Sequence, residues 1–281
     1  MAILGVIGGS GLYDLPGLTD VEERVVETPF GAPSSPIVIG TLGETRLAFI
    51  ARHGRGHIYT PSEIPFRANI FALRSLGVSH AISISAVGSL KEQLPPTSAV
   101  VPNQIIDRTT LRQRTFFDEG IVAHVGIADP FCNDFRATIQ QITQDVTNEP
   151  VASGTYLCIE GPQFSTRAES NLFRSWGASI IGMTAMPEAR LAREAGLCYA
   201  TLAFVTDYDV WHQSERDVTV EMVQRVLSSN VATGQEVVRR IALAGLPECM
   251  AGCRDALDGA VITSPSSLSA EASARLALFQ D

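Results

Sequence analysis

A chain of 281 residues with a net charge of −9 and a pI near 5.1 lacks the excess of basic residues that nucleic-acid binding requires. Hydrophobic residues make up 45 % of it and charged ones 18 %, a balance that supplies one large α/β core and excludes a disordered polar segment. The opening stretch has no basic cluster and breaks into glycine after a short apolar run. It reads as neither a signal peptide nor a membrane span, and a cytoplasmic protein is expected.

Ala2 to Ile7 predicts a short buried strand running into Gly8-Gly9-Ser10-Gly11. Glycines after a first strand let backbone N–H groups approach an anion. The glycines at 5, 8, 9 and 11 do not have the dinucleotide-binding spacing, and Leu12 to Pro16 breaks the helix that motif needs, so a dehydrogenase is disfavoured. Val21 to Glu27, Ile37 to Ile39 and Leu47 to Ile50 read as hairpin strands. The last feeds Arg52-His53-Gly54-Arg55-Gly56-His57, two Arg and two His in six residues. Arginine offers a planar fork matched to phosphate.

Pro61 to Leu76 has helical periodicity through Ile64, Ala68, Phe71, Ala72 and Leu76, and Gly77 closes it. A strand over Ala81 to Ser85 leads into Ala86-Val87-Gly88-Ser89, a second anion-cradling shape that assigns Ser85 and the Ala86 amide to phosphate. Val100 to Ile106 is a further strand. The polar and aromatic stretch from Asp107 to Glu119 has the character of a lid. Asn133 to Thr147 predicts a surface helix, and Gly154 to Ile159 a strand. Thr166 and Glu169 form a capping box for a helix over 167–176.

The stretch from Ile181 to Trp211 organises the rest. A turn at Gly182-Met183-Thr184 precedes a helix that starts at Pro187-Glu188 and stops at Gly196. Leu197 to Val205 is an apolar run that reads as a buried strand ending at Thr206-Asp207-Tyr208-Asp209. Two carboxylates at the C-terminal end of a buried strand stand where open α/β sheets bind ligands. Val218 to Ala244 predicts a long helix. A short amphipathic piece with Leu276 and Phe279 follows Ser264-Pro265-Ser266-Ser267. Five cysteines (132, 158, 198, 249 and 253) read as reduced structural thiols. Cys249 and Cys253 are spaced as neighbours on a helix, two thiolates alone making a poor zinc site.

Gly182-Met183-Thr184, Met186-Pro187-Glu188 and Thr206-Asp207-Tyr208-Asp209 together resemble the purine nucleoside phosphorylase superfamily. The Asp-Tyr-Asp element resembles its 5′-methylthioadenosine phosphorylase branch. Further segments are similar in the same order: Arg52-His53-Gly54, the pattern P-S-x5-A-N-I-x-A-L from Pro61, the pattern H-x3-A-D-P-F from His124, and E-G-P-x-F-S from Glu160. The resemblance covers roughly residues 1–245 and thins over 246–281. It implies a single domain over 1–281, a mixed twisted β-sheet, partly closed and flanked by helices.

It also implies the chemistry. Phosphate attacks the anomeric carbon of a nucleoside and the purine departs, with no metal and no organic cofactor. Ser10, Arg52, His53, Ser85, Ala86 and Thr184 would hold phosphate, Met183 would lie along the ribose, and Phe164, with Ser165 beside it, would stack on the base. Asp207 would face the imidazole side of the purine as the catalytic group, and Asp209 would accept from the exocyclic amine. His124, Val220 and Val223 would border the 5′ substituent, with Gln224 polar where that branch carries leucine. A carboxylate only accepts hydrogen bonds, so the pair favours a 6-amino purine over a 6-oxo one. Members of the superfamily assemble as trimers or dimers of trimers. A homotrimer is therefore expected, with the tail over 264–281 covering a neighbour's pocket. A phosphorylase for another nucleoside, a hydrolytic nucleosidase and a silent purine binder are the rival readings.

Overall fold

The computed structural model describes the chain apart from residues 1, 10, 13, 14, 214–217 and 281, and apart from the side chains of 220 and 222–229. Ser10 and the side chains of Val220, Val223 and Gln224 therefore lie outside the described residues.

Strand β1 (Ile3–Gly8) is buried along almost its whole length, as a strand covered on both faces must be. Strands β2 (Thr19–Arg24), β3 (Ile37–Leu42) and β4 (Thr45–Ala51) pair antiparallel in succession. Gly43 opens the two-residue turn between β3 and β4 with φ +59°, a region glycine enters freely. Helix α1 (Phe66–Ser75) starts later than the periodicity from Pro61 predicts. Pro65 has no N–H to donate and biases Ile64 away from helical ψ, so residues 61–64 form turns.

Strand β5 (His80–Ser89) runs straight through the stretch read as an anion loop after Ser85, so Ala86 to Ser89 are strand residues. Then come β6 (Ala99–Val100), β7 (Gln104–Asp107), helix α2 (Asn133–Thr147), β8 (Thr155–Cys158) and helix α3 (Arg167–Ser175). The capping box of α3 is formed, with Thr166 and Glu169 each bonding the other's backbone amide. Strand β9 (Ile180–Gly182) leads into helix α4 (Ala185–Glu194). That helix ends in a glycine cap, with the Leu197 amide returning to Ala192 at 2.9 Å. Strand β10 (Cys198–Asp207) is buried at every residue, which is why its sequence shows no alternation. Helices α5 (Val220–Ala244) and α6 (Ala270–Ala277) complete the chain.

The ten strands form one mixed sheet whose path is β2-β3-β4-β1-β5-β9-β8-β7, with β10 on the other edge of β5 and β6 beyond β10. β5 is the hub. β1 lies beside its first half, as far as Ser83, and β9 beside only Gly88 and Ser89. The expected partial closure does not extend to a barrel. One isolated bridge, Val100 to Ala152, joins β6 to the chain entering β8.

Two apolar layers cover the sheet. Ile70, Phe71, Leu191 and Phe279 belong to one, and Phe135, Ile139, Val237 and Ile241 to the other. The C-terminal segment is part of the first layer, because Phe279 packs against Phe116 with ring centroids 4.7 Å apart. Leu276 and Phe279 of the tail expected to cover a neighbour's pocket thus pack against their own chain, while most of residues 264–275 are exposed. Asp107 to Glu119 is likewise no loose lid, since Phe116, Phe117 and Arg112 are buried. Cys249 and Cys253 lie on irregular chain after α5, not on a helix. Among the described residues, no helix is long and apolar enough to cross a membrane.

Candidate active site

The C-terminal ends of the parallel strands β1, β4, β5 and β10 all point to one rim of the sheet. After β1 the chain turns toward β2–β4, and after β5 toward β6 and β10. Such a switch point leaves a crevice between strand ends. On the edge of β5 facing β1 and β9, residues 84–87 pair with neither strand. A small cleft opens there, lined by Gly9, Ile84, Ser85, Ala86, Phe204 and Asn230 among others. Gly9 is the chain neighbour of Ser10. The Ser85 hydroxyl is buried in this cleft without a hydrogen-bond partner among the described residues. Buried hydroxyls are normally paired, so a lone one lining a cleft marks a place for a polar ligand.

Arg52, at the end of β4, is 2 % exposed and reaches across the rim. It donates to both Glu188 oxygens at 2.9 and 3.3 Å, to Ser83 Oγ at 2.6 Å, and to the carbonyls of Ile7 and Ile84 at 3.2 Å. The guanidinium therefore fastens β1, β5 and α4 together. Burial works against its charge, but the Glu188 carboxylate more than offsets this and holds its pKa above the ordinary value. With five N–H groups and so many acceptors, at most one N–H is left for phosphate. Glu188 also accepts from Tyr199 Oη at 2.8 Å.

His53 is held differently. Its Nδ1 lies 3.0 Å from the Tyr59 carbonyl, which can only accept, so Nδ1 carries the proton. Burial lowers its pKa to about 4, and the ring is neutral near pH 7. Nε2 then presents a lone pair, suited to accept from the hydroxyl of a monoprotonated phosphate. His57 stacks on the ring at 4.1 Å.

Thr184 is buried at the N-cap of α4, its side chain making no capping bond. It is thus placed to present a hydroxyl at a helix N-terminus. Just before it, a Cβ added to Gly182 would collide with the Tyr156 hydroxyl, so only glycine fits. Met183 is half-buried and its sulfur touches the segment from Glu160. A Cβ on Gly161 would stand 2.5 Å from Met183 Sδ. The E-G-P-x-F-S segment and Met183 are therefore neighbours. Phe164 is 41 % exposed, an aromatic face beside them, and the Ser165 hydroxyl is buried without a partner among the described residues.

Arg112 joins these pieces. Its Nη1 donates to the carbonyls of Met183 and Met186, both at 2.6 Å, and its Nη2 to Glu160 O at 2.6 Å. Its Nε bonds the Glu160 carboxylate at 2.9 Å. Glu160 also accepts from Ser62 and from the Leu111 amide. Burial opposes its charge, yet these donors lower its pKa to about 2.

The two aspartates close the rim at the end of β10. The pairing with β5 slips between Val205 and Asp207, and the bulge re-aims Asp207 beside Gly88. Asp207 Oδ2 accepts from Thr206 Oγ at 2.6 Å and Oδ1 from the Asp209 amide at 2.7 Å. Burial raises the Asp207 pKa. Asp209 sits at φ +53°, a left-handed position that aspartate tolerates. Its Oδ2 is buried without a hydrogen bond of good geometry to any described residue. Burial raises its pKa to about 6, with the Asp207 charge adding to the shift and Ser170 opposing it. Both acids are under 6 % exposed.

His124 stands apart: it is exposed, and its backbone amide bonds Ala260 at 2.9 Å. Sequence reading missed Arg112, Glu160 as an acceptor, and Glu188 as the partner of Arg52. The available signal was charge inside otherwise apolar or loop-like segments, which burial permits only to paired groups.

Residues 3–242 match the family model described as the phosphorylase superfamily. The chain belongs to the phosphorylase superfamily. Among similar superfamily members, the S-methyl-5′-thioadenosine phosphorylase of Koribacter versatilis is 51 % identical over 99 % of this chain and 95 % of its own. A methylthioadenosine phosphorylase from an Antarctic soil metagenomic library superposes with TM-score 0.91 at 46 % identity, covering 99 % of this chain and 98 % of that one. The methylthioadenosine phosphorylase of Schistosoma mansoni, solved with adenine, has TM-score 0.84 at 34 % identity over 100 % of this chain and 98 % of that one.

Proposed function

We propose that this chain is an S-methyl-5′-thioadenosine phosphorylase, converting 5′-methylthioadenosine and phosphate to adenine and 5-methylthioribose 1-phosphate. A phosphate oxygen bonds to the anomeric carbon as the bond from that carbon to the purine nitrogen breaks. The bonding pair leaves with the base, and a proton neutralises the imidazole ring. The sugar is an oxocarbenium-like cation at the crossing point, so a phosphate held against it both attacks and stabilises it.

In this reading Ser10, Ser85, the Ala86 amide, Thr184, His53 and the remaining Arg52 N–H bind phosphate. Met183 lines the sugar, and Phe164 covers the base with Ser165 beneath it. Asp207, its pKa raised by burial, supplies the hydrogen bond or proton for the departing ring. No group in this scheme calls for a metal or organic cofactor. Exposed His124, with Val220 and Val223, would meet the 5′ substituent in a homotrimer where a neighbouring chain completes the site.

One observation carries the choice of base: Asp209 Oδ2 is buried at the strand end with no well-aligned donor among the described residues. An ionised carboxylate can only accept, and the exocyclic amine of adenine donates. The similar proteins named as S-methyl-5′-thioadenosine phosphorylases support the same substrate. Gln224 favours a second reading, in which a 5′-hydroxyl nucleoside such as adenosine is also cleaved. Product chromatography with methylthioadenosine, methylthioinosine and adenosine tests the proposal. Adenine from methylthioadenosine with little hypoxanthine is expected, and faster cleavage of the inosine analogue would overturn the assignment of Asp209.

A further inference from the structure

Four of the five cysteines come together far from the candidate active site. Cys132 is the N-cap of α2, Cys198 opens β10, and Cys249 and Cys253 lie on the irregular chain after α5. Their sulfurs all lie within 4.8 Å of one another, and Cys132 and Cys249 are 3.9 Å apart. Among the described residues this is the one group of side chains that could hold a metal ion. The fold thus supplies the two ligands that the pair Cys249 and Cys253 lacked in sequence.

We propose that these four cysteines bind one zinc ion as a structural tetrathiolate site. Zinc–thiolate bonds of about 2.3 Å put the corners of a tetrahedron about 3.8 Å apart, the spacing that Cys132 and Cys249 already have within a few tenths. The outer groups are those a charged metal–thiolate centre needs. Arg193 Nη1 donates to Cys253 Sγ at 3.3 Å, and the positive end of α2 begins at Cys132. Arg193 is itself fixed by the Asp129 carbonyl at 2.6 Å. The loop that carries two ligands is pinned as well, since Asp134 Oδ2 accepts the amides of Met250 and Ala251 at 2.8 and 3.1 Å.

A disulfide needs a specific pair at about 2.05 Å, whereas here three buried sulfurs and one half-buried sulfur crowd a common centre. The site joins the start of β10 and α2 to the segment after α5, parts that are distant in sequence. Asp207 is nine residues further along β10, about 30 Å away at the rise of a strand. The metal therefore holds the C-terminal segment in place and takes no part in the reaction.

The test is the metal content of the full chain, purified without chelator or added metal and measured by plasma mass spectrometry. About one zinc per chain is expected, released by titration with a mercurial and detected with a chromogenic chelator. Cys249→Ser and Cys253→Ser should reduce the zinc at least tenfold and lower Tm. Should either variant fail to fold, the unaltered chain reconstituted with Co²⁺ gives an independent reading through the thiolate-to-metal absorption of a tetrahedral site. A metal-free chain with five titratable thiols would overturn the proposal, as would a disulfide between any two of the four in non-reducing peptide mapping.

Discussion

The Arg52 guanidinium donates to both carboxylate oxygens of Glu188, at 2.9 and 3.3 Å, with both side chains buried. Removing one member of a buried pair leaves an uncompensated charge, which costs about 3–5 kcal/mol. Glu188→Ala should lose stability of that order in urea unfolding. Glu188→Gln, which keeps an acceptor for Tyr199 Oη, should lose less. An alanine variant within about 1 kcal/mol of the parent would contradict the role given to this pair.

Gly88 faces Asp207 across the β5–β10 pair. A Cβ there would stand 2.9 Å from Asp207 Oδ1, 3.0 Å from Ile181 Cγ2 and 3.4 Å from Asp209 Cβ. Gly88→Ala should therefore push the carboxylate off its position and leave the core in place. Misplacing a reacting group by about 1 Å lowers rate by about a hundredfold. A fall in kcat of that order with an unchanged circular dichroism spectrum is expected. Full activity would show that Asp207 needs no such fixed place.

Asp209 links the site to stability. Its folded pKa of about 6 lies above the ordinary 3.8, so the folded state holds the proton more tightly than the unfolded chain. The associated stabilisation is complete below pH 3.8 and lost as pH rises through about 6. At pH 7.5 the buried carboxylate should cost on the order of 1–3 kcal/mol. Asp209→Asn, which the left-handed backbone tolerates, should then be more stable than the parent at pH 7.5 and equal to it near pH 4. Urea unfolding at both pH values measures this. A less stable variant at pH 7.5 would refute it.

Arg112 binds four carbonyls and a carboxylate on the two segments proposed to flank the base and sugar. Lysine cannot reproduce that fork. Arg112→Lys should raise KM for the nucleoside about tenfold or more, the equivalent of 1.4 kcal/mol. It should leave KM for phosphate within a factor of about two. Equal changes in both constants would reduce Arg112 to a general structural role.

Much of this was legible in the sequence because local rules were obeyed. The largely apolar run before Thr206 reads as a buried strand, Gly77 and Gly196 stop their helices, and Thr166 with Glu169 forms the cap its spacing predicts. What escaped was non-local. Ser85 looked like the end of a strand because the residues after it are small, yet pairing with β10 and then β9 carries β5 on to Ser89. Arg112 sat in a stretch with no periodicity, and only the folded chain places Glu160 and Met183 around it. Likewise Cys132 and Cys198 are 66 positions apart and meet Cys249 and Cys253 only through the packing of α2, β10 and the C-terminal segment. Sequence spacing reports contacts within an element, and these contacts run between elements.

The central claim is that phosphate, not water, takes the sugar. The direct test is adenine release from 5′-methylthioadenosine in phosphate-free buffer and in buffer with saturating phosphate, with phosphorus magnetic resonance to detect the sugar phosphate. The account predicts release that requires phosphate, with one sugar 1-phosphate formed for each adenine. Equal release without phosphate would contradict it, making the chain a hydrolase and leaving the assignments of Arg52, His53 and Ser85 without their ligand.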